Sequence, residues 1–272
     1  MQPLQFPTTA AKEAPSPDWH TRATQLAPQA ELTVSQLSVQ YRSVQALRDI
    51  NFSVKPGRLV GIIGPNGAGK STLIKAMLGL VPATHGSATY QGLPLVDRLS
   101  QVAYVPQRSQ IDWSYPATVW DVVMMGRVVK TGWWRRFSPT SRHVAAAALE
   151  RVGMAEFRDR AIGQLSGGQQ QRVFLARALA QEADIFCLDE PFVGIDQKTQ
   201  EIIFQIFREL AQDDKFVLVI NHDLGESITH FDDLILLNME LIASGPRQCV
   251  LTSENLHRAY GGHVVFFGDA AA

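Results

Sequence analysis

Apolar residues along the chain first alternate with polar ones and later gather into short runs. Residues 32–39 have strand-like spacing with a slip after Val34, and residues 50–54 alternate more cleanly. The run at 59–63 is short and apolar, which is typical of a buried strand. The first third of the chain after residue 30 is therefore predicted to be rich in strands.

The rest of the chain alternates between predicted strands and predicted helices. Further strands are predicted at 102–105, 185–188, 216–220 and 234–237, and helices at 70–79, 142–152, 168–180, 197–211 and 224–229. Strands followed by strand–helix alternation predict an α/β fold, with an antiparallel β lobe fused to a parallel core. The segment 108–163 has no strong strand signal and is predicted to be a helical insertion.

The two ends of the chain differ from this pattern. Residues 1–30 are rich in Pro, Thr, Ala and Gln and have no apolar period, so they are predicted to be a flexible tail. A single domain is predicted over 31–267, followed by a short tail at 268–272. The first 14 residues lack the basic start and apolar stretch of a secretion signal.

Composition narrows the possible partners. The formal net charge of −1 provides no basic excess for a polyanion, which argues against nucleic acid as a partner. Cys187 and Cys249 form neither a disulfide framework nor a zinc spacing, which fits a reducing cytosol. No apolar run approaches the roughly 18 residues that span a bilayer, so any membrane role is expected to pass through a partner.

The strongest motif follows the apolar run at 59–63. Residues 64–71 read GPNGAGKS and fit G-x-x-x-x-G-K-[ST], a phosphate-binding loop between a strand and a helix. Glycines let backbone N–H groups face the phosphates, and the helix that follows adds its positive end. Lys70 is expected to reach the β- and γ-phosphates, and Ser71 to ligate Mg²⁺. The predicted phosphate site comprises Gly64, Pro65, Asn66, Gly67, Ala68, Gly69, Lys70, Ser71 and Thr72.

Two acids end the predicted strand at 185–188. Asp189 is expected to hold Mg²⁺ through its water shell. Glu190 is expected to orient or deprotonate the water that attacks the γ-phosphate. Together with the loop, these acids predict an ATPase.

A third motif, LSGGQ at 165–169, opens a predicted helix. A serine hydroxyl, amides left bare by two glycines and a helix dipole make an anion site. With this motif the sequence resembles the ATP-binding cassette (ABC) family. The resemblance implies that Ser166, Gly167, Gly168 and Gln169 complete the ATP site of a second copy of the chain.

The resemblance assigns roles to four further residues. Tyr41 is similar to the aromatic residue that stacks on adenine, and Asp196 to the loop acid that crosses the dimer. Gln107 is similar to the glutamine that senses Mg²⁺ and the attacking water, and His222 to the histidine that contacts the γ-phosphate. The resemblance covers about 31–267 and implies a P-loop ABC nucleotide-binding domain.

One cassette without a coiled-coil or zinc insertion resembles a separate transporter subunit. This resemblance implies that the chain forms a homodimer on integral membrane permease subunits at the cytoplasmic face of a bacterial membrane. It also implies an extracytoplasmic substrate-binding protein. Segments at 111–116, 121–127, 132–136 and 189–196 resemble the importers of manganese, zinc or iron. The alternatives are import of an iron chelate, haem or corrinoid, a non-transport ABC ATPase, and a regulatory subunit that binds ATP only as a structural ligand.

Aromatic residues crowd the middle segment. Trp113, Tyr115, Trp133 and Trp134 lie among arginines, a composition typical of interfaces and equally of a core that fills a small lobe. One hypothesis is that residues 107–125 dock a coupling helix of the permease. The seven histidines form no i, i+4 pair or Cys/His cluster, and His257 and His263 are expected at the surface.

Overall fold

The computed structural model describes residues 31–132, 136–222 and 224–261. The predictions for the two tails, Trp133, Trp134 and His263 therefore lie outside the described residues. The strands are β1 (Leu32–Tyr41), β2 (Val44–Val54), β3 (Arg58–Ile63), β4 (His85–Tyr90), β5 (Leu93–Pro94), β6 (Val102–Val105), β7 (Ile185–Asp189), β8 (Phe216–Ile220), β9 (Asp233–Asn238) and β10 (Glu240–Pro246). The α-helices are α1 (Lys70–Met77), α2 (Val119–Met125), α3 (Val128–Thr131), α4 (Pro139–Arg151), α5 (Gly167–Ala180), α6 (Gln197–Gln212), α7 (Arg247–Val250) and α8 (Ser253–Tyr260).

The predicted antiparallel lobe is a four-stranded sheet with the order β2-β1-β4-β5. Strand β1 shifts register between Val34 and Leu37, where the apolar spacing slips. Gln36 has a φ of 52° there, and its N–H bonds to the side chain of Asn51 at 2.8 Å. The slip in the apolar pattern is thus an irregularity that keeps both halves of β1 facing the core.

The second sheet has the order β10-β9-β3-β8-β7-β6, in which all neighbours are parallel except β10 and β9. Ile62 of β3 and Asp189 of β7 both pair with Ile220 at the end of β8. The carboxyl ends of these strands therefore form one edge of the sheet. Ligands bind at this edge in open α/β sheets. The phosphate motif follows β3, Asp189 is the last residue of β7 and Glu190 comes directly after it.

The segment 108–163 is helical, as predicted. Among its described residues it contains α2, α3, α4 and three short 3-10 helices, and a single β-bridge joins Thr118 to Ala161. Helices α2 and α4 pack on α5, which links this helical lobe to the parallel core. Buried Arg127 anchors the junction, with Nη1 bonded to the Ala180 carbonyl at 2.6 Å and to Glu182 at 2.7 Å.

Several features differ from the sequence pattern, which predicts neither helices α7 and α8 nor the two-residue strand β5. The prediction of a helix at 224–229 is wrong, because the described part of this stretch has only a short 3-10 helix at Glu226–His230. Strands β4 and β10 were not predicted, because most of their side chains are exposed or half-buried and show no clear alternation. No helix in the described ranges is both long and apolar enough to cross a membrane.

Candidate nucleotide site

The loop between β3 and α1 has the backbone that its glycines predict. Gly69 immediately precedes α1 in a left-handed conformation with φ of 92°, and the helix begins at Lys70. The Lys70 ammonium is buried and donates to the carbonyl oxygens of Gly64 at 2.8 Å and Pro65 at 2.9 Å. Burial lowers the pKa of Lys70. The backbone of the loop therefore surrounds the Lys70 ammonium and supplies its two acceptors.

Two glycines of the loop are required for different reasons. Gly64 has a φ of 149°, and a Cβ there would overlap the carbonyl oxygen of Leu237 in β9. Gly67 has a φ of 82°, and nothing lies within 4 Å of where its Cβ would be. Gly64 thus allows the loop to pack closely against β9. Gly67 lies at the exposed tip of the loop and leaves open space beside it.

Ser71 and Asp189 meet directly at the edge of the sheet. The Ser71 hydroxyl donates to Asp189 Oδ1 at 2.9 Å, and Asp189 is completely buried. Burial is the main cause of the raised pKa of Asp189. Its Oδ2 is buried and has no hydrogen-bond partner among the described residues. The Tyr104 hydroxyl is the neighbouring donor and is likewise buried without a hydrogen bond. A buried carboxylate oxygen that forms no hydrogen bond fits a hydrated divalent cation, so Ser71 and Asp189 suit Mg²⁺.

Gln107 and Glu190 also meet. Gln107 follows β6, and its Nε2 donates to Glu190 Oε2 at 2.6 Å. Glu190 itself has a φ of 51°, which turns the chain sharply at the end of β7. Non-glycine residues in this conformation are uncommon and concentrate at functional sites. The predicted base and the predicted water-sensing amide therefore lie side by side.

The LSGGQ motif forms the N-terminal cap of α5. Ser166 Oγ accepts from the Gln169 amide at 3.3 Å, and Gln169 Oε1 accepts from the Ser166 amide at 2.9 Å. These reciprocal bonds are a capping box. The cap uses the amides of Ser166 and Gln169, whereas the prediction of uncovered amides concerns the two glycines between them and stays a prediction. The side chain of Ser166 is nevertheless exposed, at a positive helix end.

The remaining predicted residues are dispersed. Asp196 caps α6 through the Thr199 amide and hydroxyl, which lower the pKa of Asp196. His222 is exposed two residues after β8, and Tyr41 is 45% exposed at the end of β1. The hydrogen bonds of Ser166 and Asp196 in the described chain stay within their own caps. The structure thus gathers the phosphate loop with Gln107, Asp189 and Glu190, and it does not join the two caps to them.

Sequence reasoning missed one support of the loop. The Met239 amide, in the turn between β9 and β10, donates to the Ala68 carbonyl at 2.9 Å. Met239 has a φ of 58°, and the Asn238 side chain bonds to the Ala259 carbonyl of α8 at 3.1 Å. No sequence signal marks Met239, because it is a non-glycine residue in a left-handed conformation. Within the described ranges, no group of three or more His, Cys, Asp or Glu side chains could hold a metal ion.

The model of the ABC transporter family matches residues 47–193. The chain belongs to the ABC transporter family. This finding confirms the resemblance, the α/β fold of an ABC nucleotide-binding domain and the assignment as an ATPase. As an ABC ATPase, the chain binds nucleotide.

Three curated relatives cover most of the chain. A protein of Cyanophora paradoxa described as an ABC transporter ATP-binding protein is 49% identical, over 86% of this chain and 96% of its own. The manganese transport system ATP-binding protein MntB of Bacillus subtilis is 48% identical, over 86% and 93%. The zinc transport system ATP-binding protein TroB of Treponema pallidum is 46% identical, over 85% and 87%.

Two solved structures share the fold. An inward-facing transporter described as of the metal-chelate type superposes with a TM-score of 0.75 at 27% identity, over 86% of this chain and 90% of its own. A dimeric ATP-binding cassette in a post-hydrolysis state with ADP and phosphate superposes with a TM-score of 0.70 at 27% identity, over 79% and 98%.

Proposed function

We propose that this ABC ATPase powers a membrane importer of divalent transition-metal ions, with manganese, zinc and iron as the candidate cargoes. The observation that carries the proposal is the 48% and 46% identity, over most of the chain, to ATPases named for manganese and zinc transport. The cargo itself crosses the membrane through permease subunits, and a substrate-binding protein delivers it to them outside the cytoplasm.

The phosphate loop holds the nucleotide in this proposal. Lys70 exchanges its two loop carbonyl partners for the β- and γ-phosphate oxygens, since an ammonium gains more from an anion than from a neutral acceptor. Ser71 and Asp189 would hold Mg²⁺, which would offset the phosphate charge when bound. The side chain of Tyr41, exposed at the end of its strand, provides a face for adenine.

Hydrolysis is assigned to three residues at the edge of the sheet. Glu190 accepts a proton from the attacking water as general base. Gln107 positions that water, and its 2.6 Å bond to Glu190 supports this role. His222 donates a hydrogen bond to the γ-phosphate, in keeping with its exposed position after β8. Intact groups at all three positions argue against a subunit that binds ATP without hydrolysing it.

The working unit is a head-to-tail homodimer. The Ser166–Gln169 cap, in which Ser166 is exposed, has no hydrogen bond in the described chain to its own phosphate loop and faces the nucleotide of the partner copy. Asp196 lies on the same interface, and the dimeric relative with ADP and phosphate supports this arrangement. ATP closes the dimer because it contacts both halves only when they meet, and hydrolysis reopens it.

An apolar groove in the helical lobe is the proposed permease contact. Its volume is about 240 Å³, and its lining includes Trp113, Tyr115, Met125 and Phe174. Tyr115 is 62% exposed and Met125 is 45% exposed. The proposed occupant is a short coupling helix of the permease, which would hold the ATPase as a peripheral subunit at the inner face of a bacterial membrane. Residues 31–267 act as one ATPase domain in this assignment.

Import of a metal chelate is the second candidate, since the transporter with a TM-score of 0.75 is described as of that type. Right-side-out vesicles from source cells, loaded with ATP, separate the two candidates. Radiolabelled manganese, zinc and iron should enter in competition with one another, and uptake should vanish when Glu190→Gln replaces the parent chain. Uptake restricted to chelated iron, haem or corrinoid would contradict the proposed cargo.

A further inference from the structure

The residue after Gln107 connects three parts of the molecule. Arg108 begins a 3-10 turn at Arg108–Gln110 that leads from the catalytic amide toward the groove. Its backbone carbonyl accepts the indole N–H of Trp113 at 3.1 Å and the Ile111 amide at 3.2 Å. The Arg108 guanidinium also lies 5.5 Å from the centre of the Trp113 ring. Arg108 is therefore held at the groove through its backbone and its side chain.

The same guanidinium reaches the helix that carries the LSGGQ cap. Arg108 Nε and Nη2 donate to the Gln170 side-chain oxygen at 3.1 Å and 2.9 Å. Gln170 is only 3% exposed, and its amide nitrogen donates to the Ile162 carbonyl at 3.1 Å. A buried amide oxygen without a donor would be costly, so Gln170 depends on Arg108.

Gln170 lies in the first turn of α5. Its backbone N–H donates to the Ser166 carbonyl at 2.9 Å. A Cβ added at Gly167 would lie 3.4 Å from the Arg108 guanidinium carbon, so the cap itself packs on the arginine. A displacement of Arg108 therefore moves the cap through two routes, one by hydrogen bonds and one by packing.

The groove has its own direct contact with α5. The Trp113 and Phe174 rings meet edge to face with centroids 5.2 Å apart. This contact is apolar and tolerates sliding, whereas the two-pronged bond from Arg108 to Gln170 fixes distance and direction. Arg108 is consequently the rigid part of the connection.

We infer that Arg108 is a positioning residue that couples occupancy of the Trp113 groove to the placement of the Ser166–Gln169 cap. This inference rests on the proposed function, since it assumes that the cap completes a partner's ATP site. Coupling between two sites is reciprocal, so ATP-driven closure must also change the surroundings of Trp113. That reverse effect can be measured in the full chain without a permease.

The test uses fluorine NMR of the full chain labelled with 5-fluorotryptophan. The chain has five tryptophans, and Trp113→Phe assigns the signal. In a Glu190→Gln background, saturating ATP with Mg²⁺ should shift the Trp113 signal. Arg108→Lys keeps the charge and the backbone carbonyl but loses the pair of guanidinium donors to Gln170. The ATP-induced shift of the Trp113 signal should therefore shrink about threefold or more.

Gln170→Leu removes the acceptor from the other side and should reduce the shift equally. The double variant should be no worse than either single one, because both remove the same link. Arg158→Lys is the matched control, since Arg158 covers Trp120 at 3.7 Å in the same lobe and should leave the Trp113 shift unchanged. Arg108→Lys, Gln170→Leu and Arg158→Lys should all retain the parent's affinity for a fluorescent ATP analogue.

Size-exclusion chromatography with ATP distinguishes a failure of the proposed function from a failure of the inference about Arg108. If the Glu190→Gln parent does not dimerise with ATP, the proposed function is overturned and the inference with it. If the Glu190→Gln parent dimerises and ATP leaves its Trp113 signal unchanged, the inference alone is overturned. The same holds if the Trp113 signal in Arg108→Lys and Gln170→Leu shifts as much as in the parent.

Discussion

The side-chain amide of Gln107 donates a 2.6 Å hydrogen bond to the carboxylate of Glu190. The two residues are 83 positions apart and follow neighbouring parallel strands, β6 and β7. The contact places the segment that leads to the groove directly on the proposed general base. The segment that leads to the groove is therefore joined to Glu190 by one hydrogen bond.

Glu190→Gln tests the proposed base. The substitution preserves shape and still offers an oxygen to Gln107, so the fold and ATP binding should be retained. Loss of a general base should lower turnover about 10²–10⁴-fold. Phosphate release and ATP binding are the two measurements, and ATP should hold the variant as a closed dimer. Hydrolysis at the parental rate would refute the role of Glu190.

Glu209→Gln is a matched control for that experiment. Glu209 is an acid on α6 whose contacts include Arg151 at 2.6 Å and which has no contact with the nucleotide site in our assignment. We expect its turnover to stay within about twofold of the parent, as for most substitutions outside a site.

Ser166→Arg tests the composite ATP site. A long charged side chain at the exposed cap should block closure on the partner's nucleotide and stop turnover. ATP binding to the monomer should be unchanged, because the phosphate loop is untouched. Isothermal titration of the monomer and phosphate release provide the two readings. Loss of monomer binding would contradict the head-to-tail dimer.

Ser166 is also a helix cap, so its loss has a cost in stability. Replacing a capping serine lowers the free energy of unfolding by about 1 kcal/mol. Ser138→Arg removes the comparable cap of α4, where Ser138 Oγ accepts from the Ser141 amide at 3.1 Å. This control should lose similar stability and keep its turnover, which separates the loss of a cap from the loss of the interface.

The parts of the site that were predictable from sequence are those fixed by local backbone chemistry. The loop at 64–71 needs its glycines, a strand before it and a helix after it, and all are present. The acids Asp189 and Glu190 followed from a buried strand that ends in charge. Such features depend on neighbours in sequence, so a pattern of residue types identifies them.

The contacts that sequence did not reveal join residues far apart in the chain. Arg108 and Gln170 are 62 positions apart, and neither residue type specifies the other. The Met239 support of the loop depends on a turn with positive φ at a residue type that gives no signal for it. Strand β4 was missed because its first three side chains are exposed. Tertiary packing decides these features, and local propensity does not.

Gly64→Ala and Gly67→Ala should fail in different ways. A Cβ at Gly64 overlaps the Leu237 carbonyl, so the free energy of unfolding should fall by about 3 kcal/mol or more. A Cβ at Gly67 meets open space and costs only about 1 kcal/mol for its positive φ. The Gly67 variant should therefore stay folded but bind ATP more weakly. Urea unfolding and ATP titration check the pair, and equal loss of stability would contradict it.

Two residues of the aromatic groove allow core packing and docking to be tested separately. Tyr115 is 62% exposed, whereas Trp113 packs on Phe174. Tyr115→Ala should weaken capture of the detergent-solubilised permease and leave stability nearly unchanged, whereas Trp113→Ala should weaken both. Val129→Ala, a 50% exposed residue of the same lobe outside the groove, is the control. Undiminished capture by the Trp113→Ala, Tyr115→Ala double variant would exclude this docking surface.

Glu182 gives the fold a measurable pH dependence. Burial raises the pKa of Glu182, but hydrogen bonds and charge from Arg127 and Lys130 outweigh it, so the net pKa lies below the ordinary value of 4.5. A lowered folded-state pKa contributes stability above pH 4.5 that is lost as the pH falls through the folded value. Glu182→Gln should therefore be less stable than the parent at pH 7 by about 1–3 kcal/mol.

The gap between Glu182→Gln and the parent should close as the pH falls below 4.5, because the parent then protonates the same carboxylate. Urea unfolding across the pH range measures the gap. Glu240→Gln is the control, since the Glu240–Arg48 pair is exposed on both sides and should contribute about 0.5 kcal/mol or less at any pH. A Glu182→Gln deficit that stays constant below pH 4.5 would show that the carboxylate charge is not what holds Arg127 at the junction of the two lobes.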